Sequence, residues 1–211
     1  LSIPVIDTFN LTSVKKITGG MDFLTTSLLQ RLKGKFVNLE SFAIGYGLVE
    51  TANIVFVCKG IKDLLKPTNT MKLVEGVGNQ MDVRDEEGNS ISLGGEGELY
   101  IKGTSVVSGY TDNAQETQVS FKDGWFKTGD IVRYEEENTI TLLGRKKYLI
   151  KRGGKSVSPI VIQNHLNKLQ GVKNSAVVGI PHQLYGEMVW AFIVKDGECD
   201  VQLKDIMKHC R

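Results

Sequence analysis

The middle third of the sequence, where short β-prone runs alternate with turns, restricts the fold most. Between residues 66 and 143, the runs at 80–84, 98–102, 131–134 and 139–143 are separated by turns rich in glycine and asparagine. Short alternating runs closed by such turns are typical of hairpins in a small β-barrel or sandwich. We therefore expect a small β-barrel or sandwich over residues 66–143, and the resemblance described below favours the β-barrel subdomain.

The residues before this region have a mixed pattern. Residues 14–18, 36–39 and 54–58 are β-prone, whereas residues 22–33 carry apolar side chains at helical spacing. This pattern is typical of α/β structure over residues 1–65, and the resemblance described below makes it the end of an α/β subdomain of a larger domain.

The residues after it again alternate strands and helices. Ser158 can cap a helix whose first turn holds Pro159, and Gly171 follows that helix. We assign residues 148–211 to a small α+β domain. The chain has no initiator methionine and ends within a helical pattern, so we expect it to be a piece of a longer protein.

Composition excludes several classes of partner. The net charge is +2, from 26 Lys and Arg against 24 Asp and Glu, which argues against nucleic acid or an anionic membrane as the main partner. The three cysteines form no C-x-x-C pair and the three histidines show no metal-ligand spacing, so neither a disulfide framework nor a zinc site is expected. No apolar run reaches membrane-spanning length. We expect a cytoplasmic protein.

Gly45, Tyr46 and Gly47 form a candidate nucleotide contact. Glycine on either side lets the backbone approach a flat ligand, and the tyrosine ring offers a stacking face. Glu50 follows closely and is a carboxylate suited to magnesium. The alternative is a tight turn with a buried tyrosine and a solvated glutamate.

Asp130 is a second candidate, at an expected turn just before an apolar strand. A carboxylate there can accept two hydroxyl hydrogen bonds, as on a ribose. The alternative is an ordinary aspartate in a β-turn.

A basic, glycine-containing stretch follows. Residues 144–147 (GRKK) and 151–155 (KRGGK) place six cations within eleven residues. Arginine binds phosphate through two N–H groups and glycine exposes backbone N–H groups, so the stretch suits phosphate, although a solvated basic face is the alternative. In this order, the three candidates together indicate a nucleotide site.

The ordered motifs resemble those of the adenylate-forming superfamily, which contains AMP-forming acyl-CoA synthetases, luciferases and peptide-synthetase adenylation domains. GG at 19–20 is similar to the G-G-A-P turn beside adenine, and GYGLVE at 45–50 is similar to G-Y-G-x-T-E. GELYIKG at 97–103, with the following Gly109-Tyr110, is similar to G-E-L-x-I-x-G…G-Y. GWFKTGD at 124–130 is similar to G-W-[FY]-x-T-G-D, and GRKK at 144–147 to the G-R-x-[DK] hinge.

The resemblance implies a role for individual residues. Tyr46 is expected to stack on adenine, Asp130 to bind the ribose hydroxyls and Glu50 to help bind magnesium. Residues 144–147 are expected to form a hinge that pivots at Lys147. The nucleotide-binding residues are Gly19, Gly20, Gly45, Tyr46, Gly47, Asp130 and Arg145, and the loop that helps form the CoA tunnel contains Gly153 and Gly154.

The resemblance also implies a fold and a reaction. The fold is the α/β plus β-barrel portion of the large adenylate-forming domain, followed by an incomplete small α+β C-terminal domain. The parent protein would use ATP and Mg²⁺ to convert a carboxylic acid, most commonly a fatty acid, to acyl-AMP and transfer it to CoA. The family's phosphate loop and terminal lysine are absent, so we expect no catalytic residue and no activity in this C-terminal fragment alone.

Several positions depart from the family pattern. Val49 stands in place of a threonine, Tyr148 in place of a common aspartate, and Val161 and Gln163 where many relatives carry glutamate. Two alternatives therefore stay open: an adenylation enzyme that uses a carrier-protein thiol instead of CoA, and a degenerate, non-catalytic member of the fold.

Overall fold

The structure is a computed structural model that describes residues 8–20, 32, 34–59, 70–197 and 201–210. Most described strands belong to one large mixed sheet. They are β1 Lys16–Gly20, β2 Ser41–Leu48, β3 Asn53–Lys59, β4 Thr70–Leu73, β5 Asn79–Arg84, β6 Glu96–Gly103, β7 Phe121–Lys122, β8 Trp125–Glu136 and β9 Thr139–Arg145.

The strand order in this sheet is β1-β2-β3-β4-β9-β8-β6-β5, with β7 paired to β8. β1 and β2 are parallel, and the other described pairs are antiparallel. The expected β-rich portion is thus present, but within the described residues its strands form an open sheet continuous with the α/β portion and not a closed β-barrel, because β5 ends the strand order without pairing back.

A second sheet contains β10 Ile150–Arg152, β11 Lys155–Val157, β12 Val172–His182 and β13 Gly186–Lys195, in the order β11-β10-β13-β12. Three helices are described: α1 Ala114–Ser120, α2 Pro159–Leu166 and α3 Leu203–His209. Two short 3₁₀ turns cover Val49–Thr51 and Lys146–Tyr148. The second sheet with α2 and α3 is called the small unit below.

The start of α2 follows its sequence signals. The Ser158 hydroxyl accepts the backbone N–H of Val161 at 3.3 Å, and Pro159 occupies the first turn, where its missing N–H has no helical partner to lose. The Ser158 hydroxyl also donates to the Leu143 carbonyl at the end of the large sheet. This cap therefore anchors the small unit to β9.

The predicted strands at 54–58, 80–84, 98–102, 131–134 and 139–143 are confirmed. The predicted strand at 36–39 is wrong: those residues form a turn, and the strand runs over Ser41–Leu48 instead.

The later start of β2 has a packing reason. Phe42 and Ile44 alternate on the buried face of β2 and enter the main core. The predicted helix at 22–33 lies outside the described residues except for residue 32, and the predicted boundary between residues 65 and 66 also lies outside them.

The two sheets have separate hydrophobic cores. The large sheet buries twelve apolar residues in one cluster, among them Val55, Phe56 and Leu99. The buried members of the small-unit cluster are Ile150, Leu166 and Val177. Each region thus has an apolar reason to fold, and the smaller core belongs to the smaller unit.

Candidate functional site

A cleft of about 1550 Å³ lies between the edge of the large sheet and the small unit. One wall comes from β2, β3 and the neighbouring ends of β8 and β9; the other comes from α2, β12 and the 3₁₀ turn Lys146–Tyr148. The cleft brings together most of the site residues predicted from the sequence. Those that line it are Gly20, Gly45, Tyr46, Gly47, Asp130, Arg145 and Lys147.

Gly45, Tyr46 and Gly47 lie within β2, so the alternative of a tight turn at this segment is wrong. A Cβ on Gly45 would lie 2.7 Å from Cδ1 of Ile54, and a Cβ on Gly47 would lie 2.2 Å from the Asn53 carbonyl oxygen. Gly47 is therefore required by the close approach of the β3 backbone, whereas a side chain at Gly45 would meet only the Ile54 side chain. The pairing of β2 with β3 shifts register between Tyr46 and Gly47.

Asp130 also lies within a strand rather than at a turn before one. The β6–β8 pairing shifts register beside it, and the preceding Gly129 has a φ of +73°, which favours glycine. The Thr128 hydroxyl donates to the Leu99 carbonyl at 2.8 Å and accepts the Asp130 N–H at 3.1 Å. These bonds hold the irregular backbone that carries the Asp130 carboxylate.

Two side chains contact the Asp130 carboxylate, which is only 3% exposed. The Tyr46 hydroxyl donates to Oδ2 at 2.6 Å, and Nε of Arg145 lies 2.9 Å from Oδ1. Burial raises the pKa of the Asp130 carboxyl above its ordinary value, while the Tyr46 hydroxyl and the Arg145 charge oppose that rise. Burial, followed by the charge of Asp130, raises the pKa of Tyr46 well above its ordinary value.

Each Asp130 oxygen keeps acceptor capacity, because a carboxylate oxygen can accept two hydrogen bonds. About 43% of the Arg145 side chain is exposed, so its remaining N–H groups can reach solvent or a ligand. The arrangement can thus hold a polyhydroxyl or anionic group at the wall of the cleft.

Other predicted site residues lie away from the cleft lining. Gly19 lies in β1, and Gly153 and Gly154 form the tip of the β10–β11 hairpin with φ values of +55° and +77°. Glu50 lies in the 3₁₀ turn after β2, and its Oε1 accepts the Tyr110 hydroxyl at 2.7 Å. None of these four is among the described residues that line the cleft.

The spacing of residues in the sequence predicts no role for a buried charge cluster that lies next to this site. The Glu98 side chain is 4% exposed, and its Oε2 lies 3.1 Å from Nζ of Lys146 and 3.7 Å from Nζ of Lys127. The hydrogen bond to Glu98 raises the pKa of Lys146. Lys146 directly precedes the predicted pivot Lys147, so the large-sheet side of the predicted hinge is tied to β6. The one signal for this cluster was that Glu98 belongs to the GELYIKG motif.

The small-unit wall is chemically different. Its polar residues are mainly amides and a serine, including Gln163, Asn167 and Ser175. The Gln163 side-chain N–H donates to the Ser175 carbonyl at 3.2 Å, and the Ser175 hydroxyl donates to Oδ1 of Asn167 at 2.8 Å. Glu187 is the charged group on this part of the wall, and it accepts the backbone N–H of Lys151.

The comparison with known families decides the identity of this fold. The profile described as "AMP-binding enzyme" matches residues 5–111, and the profile described as "AMP-binding enzyme C-terminal domain" matches residues 162–211.

The chain belongs to the AMP-binding enzyme family.

Relatives in this family align in sequence with most of the chain. A long-chain-fatty-acid–CoA ligase of Yersinia pestis is 33% identical over 167 residues, which cover 79% of the chain and 29% of that protein. A 2-succinylbenzoate–CoA ligase of Listeria monocytogenes is 32% identical over 155 residues, which cover 74% of the chain and 31% of that protein. The chain therefore spans less than a third of the length of these two relatives.

Among solved structures, the amide bond synthetase McbA from Marinactinospora thermotolerans superposes with a TM-score of 0.83 at 21% identity, covering all of the chain and 43% of that structure. This likeness confirms the predicted fold class, an incomplete portion of the AMP-binding enzyme fold. No helix among the described residues has the length and apolar character needed to cross a membrane.

Proposed function

We propose that this chain forms the nucleotide-binding wall and part of the small domain of an AMP-forming acyl-CoA synthetase. In the proposed reaction, a carboxylate oxygen attacks the α-phosphorus of ATP, and pyrophosphate leaves with the electrons of the broken P–O bond. The CoA thiolate then attacks the acyl carbonyl, and AMP leaves. The two named relatives, both CoA ligases, support this assignment to an acid–thiol ligase.

The observation that carries the proposal is the Asp130 carboxylate between Tyr46 and Arg145 in the cleft wall. We propose that the Asp130 carboxylate binds the ribose hydroxyls, because a carboxylate offers several acceptor sites and its two protein partners leave some of them unused. Gly20, Gly45 and Gly47 carry no side chain, so they leave room for a flat base beside Tyr46. The exposed part of Arg145 is placed to meet phosphate.

Magnesium fits this site through one protein carboxylate. Among the described residues, no three His, Cys, Asp or Glu side chains cluster to form a metal cage. Magnesium bound to a nucleotide needs no such cage, because it is commonly held by one or two carboxylates together with substrate phosphates and water. Glu50, half-buried one residue after the cleft residue Val49, is the candidate ligand. When bound, the cation would neutralise phosphate charge during adenylation.

We further propose the division of the chain into residues 1–65, 66–143, 144–147 and 148–211. The hinge at 144–147 would let the small domain rotate between the two half-reactions, with Gly153 and Gly154 then reaching the pantetheine arm of CoA. The two separate cores support the division between the large sheet and residues 148–211, and the hairpin position of Gly153 and Gly154 supports their proposed role. A fatty acid is the proposed substrate and the cytoplasm the proposed location.

Calorimetry with AMP and 2′,3′-dideoxy-AMP tests the ribose assignment directly. The wild-type protein should bind AMP at least about tenfold more tightly than the dideoxy compound, because a hydrogen bond to a charged group contributes about 1.5–3 kcal/mol. Asp130→Ala should remove this preference and leave the affinity for dideoxy-AMP nearly unchanged. Asp196→Ala, which removes an exposed aspartate of the small unit, is the control.

A preference for AMP that survives in Asp130→Ala would contradict the ribose role of Asp130. Absence of AMP binding by the wild-type protein would contradict the nucleotide site as a whole. Pyrophosphate release by the full-length protein is then measured with carboxylic acids of different chain length, and the acid that supports release is the substrate. If none of these acids supports release, the fatty-acid proposal is overturned.

A further inference from the structure

The segment between β6 and α1 makes two hydrogen bonds to Glu50, one to its backbone and one to its side chain. The backbone N–H of Val107 donates to the Glu50 carbonyl at 2.9 Å, and the Tyr110 hydroxyl donates to Oε1 of Glu50 at 2.7 Å. Tyr110 and Glu50 are 60 positions apart in the chain. The segment therefore holds both the backbone and the carboxylate of Glu50.

Tyr110 is itself firmly placed by contacts that do not involve Glu50. Its backbone N–H donates to the Thr117 hydroxyl at 2.9 Å, and that hydroxyl donates to the Asn113 carbonyl at 2.8 Å. Its ring packs edge-on against Phe121 with 5.5 Å between centroids, and Phe121 stacks on Phe126. The hydroxyl is thus presented to Glu50 from a support built by α1, β7 and β8.

We propose that Tyr110 is a positioning residue that fixes the Glu50 carboxylate for a divalent cation carried on nucleotide phosphates. This inference rests on the proposed nucleotide site and extends it to a residue outside the cleft lining. Tyr110 acts through Glu50 and touches neither the nucleotide nor the cation.

The hydrogen bonding of Glu50 leaves its two oxygens in different situations. Oε1 is engaged by the Tyr110 hydroxyl, whereas no hydrogen bond or ion pair from the described residues reaches Oε2. A neutral donor fixes the carboxylate without neutralising it, so the negative charge stays available to a cation.

The affinity of a site for magnesium depends on how its ligand carboxylate is positioned. Its coordination demands near-ideal octahedral geometry at short distances, so a ligand carboxylate that rotates freely binds it less well. Hydrogen-bond partners of metal-ligating carboxylates typically change metal affinity by about 10- to 100-fold when they are removed.

The test measures the affinity of the full-length protein for ATP by calorimetry, once with Mg²⁺ and once with EDTA. The ratio of the two affinities is the coupling between cation and nucleotide. Tyr110→Phe keeps the ring and removes only the hydroxyl, Glu50→Gln removes the ligand charge, and Tyr134→Phe is the control because its half-buried ring packs elsewhere on the main core.

We expect Tyr110→Phe to lower the coupling about 10-fold, with ATP affinity in EDTA unchanged, and Glu50→Gln to lower it at least as much. Equal loss of ATP affinity in both conditions, or no loss, would show that Tyr110 has only a structural role and would overturn the inference. Unchanged coupling in Glu50→Gln would overturn it as well, by removing Glu50 from the cation site. Absence of ATP binding even in EDTA would instead contradict the proposed nucleotide site itself.

Discussion

The polar groups on the two walls of the cleft have different kinds of partner. The large-sheet wall holds Asp130 beside Arg145, and just behind it Glu98 lies beside two lysines, with both carboxylates almost completely buried. The small-unit wall is mainly neutral, with amides such as Gln163 and Asn167 bonded to nearby backbone and serine.

The difference concerns how strongly each wall holds its polar groups in place. Separating buried ions from their partners is expensive, because a charge left alone in a low-dielectric site loses both water and its counterion. Neutral amides exchange protein partners for water at a much smaller net cost. The fixed electrostatics therefore belong to the large-sheet wall, whose charged pairs all lie within the large sheet and the adjoining 3₁₀ turn.

The largest effect is expected from breaking the large core alone. Phe56 is fully buried, so Phe56→Ala should destabilise the large sheet by about 3–5 kcal/mol. The chain has two tryptophans, Trp125 in β8 and Trp190 in β13, and each region can be followed in denaturant by the fluorescence of its own tryptophan after the other is changed to phenylalanine.

The Trp125 transition should shift and the Trp190 transition should stay in place. Phe9→Ala, which truncates a phenylalanine that is 64% exposed, should move either transition by less than about 0.5 kcal/mol. A common shift of both tryptophan signals in Phe56→Ala would show that the two cores unfold as one unit.

The next effect compares a buried with an exposed carboxylate on the same strand. Glu98→Gln should lower the free energy of unfolding by about 1–3 kcal/mol, because it removes the charged partner of Lys146 and Lys127. Glu96→Gln breaks an exposed pair with Arg133 and should cost about 0–1 kcal/mol. Urea unfolding measures both, and equal costs would contradict the view that burial makes the large-sheet charges rigid.

Lys147→Pro tests the proposed hinge. Lys147 occupies a 3₁₀ turn, and proline there would fix φ near −65° and restrict the torsions of Lys146 as well, so the proposed pivot should lose its freedom to rotate. In the full-length protein, acyl-CoA formation should fall at least about tenfold, equal to ~1.4 kcal/mol in barrier, while pyrophosphate exchange largely survives. Equal loss of both half-reactions would count against a pivot at this position.

The smallest effect is expected at alkaline pH from Tyr46. Its raised pKa means that the folded protein retains a proton which the unfolded chain releases above pH about 10, so stability falls as pH rises past that point. Tyr46→Phe should therefore flatten the decline of Tm between about pH 9.5 and 11. Tyr148→Phe, which removes an exposed hydroxyl from the small-unit side, is the control, and an unchanged slope in Tyr46→Phe would contradict the buried Tyr46–Asp130 bond.

Local pattern was sufficient for most individual elements. The alternation of buried and exposed positions in β8, and the Ser158-Pro159 signal that begins α2, follow from the strand period and from helix capping. The order of the motifs along the chain likewise indicates the family. These inferences succeed because each element or motif depends on residues a few positions apart.

Glycine misled the local pattern at the site itself. The sequence predicted a turn at Asp130 and allowed a tight turn as the alternative at Gly45-Tyr46-Gly47, yet both segments lie inside strands. At Gly45 and Gly47 the missing Cβ makes room for β3, and at Gly129 a positive φ accommodates an irregular pairing. A glycine marks a position where a side chain is not tolerated, and sequence alone does not say whether a turn or a neighbouring strand is the reason.

The sequence by itself thus indicated the family and most of the strands and turns, and it named Tyr46, Asp130 and Arg145 as candidates for one nucleotide site. Only the tertiary structure decided their contacts: Tyr46 meets Asp130 across 84 positions, Tyr110 meets Glu50 across 60, and Lys146 meets Glu98 across 48. Such pairs depend on strand order and on register shifts between strands, which are set by packing of the whole sheet. Neither is encoded in the spacing of nearby residues.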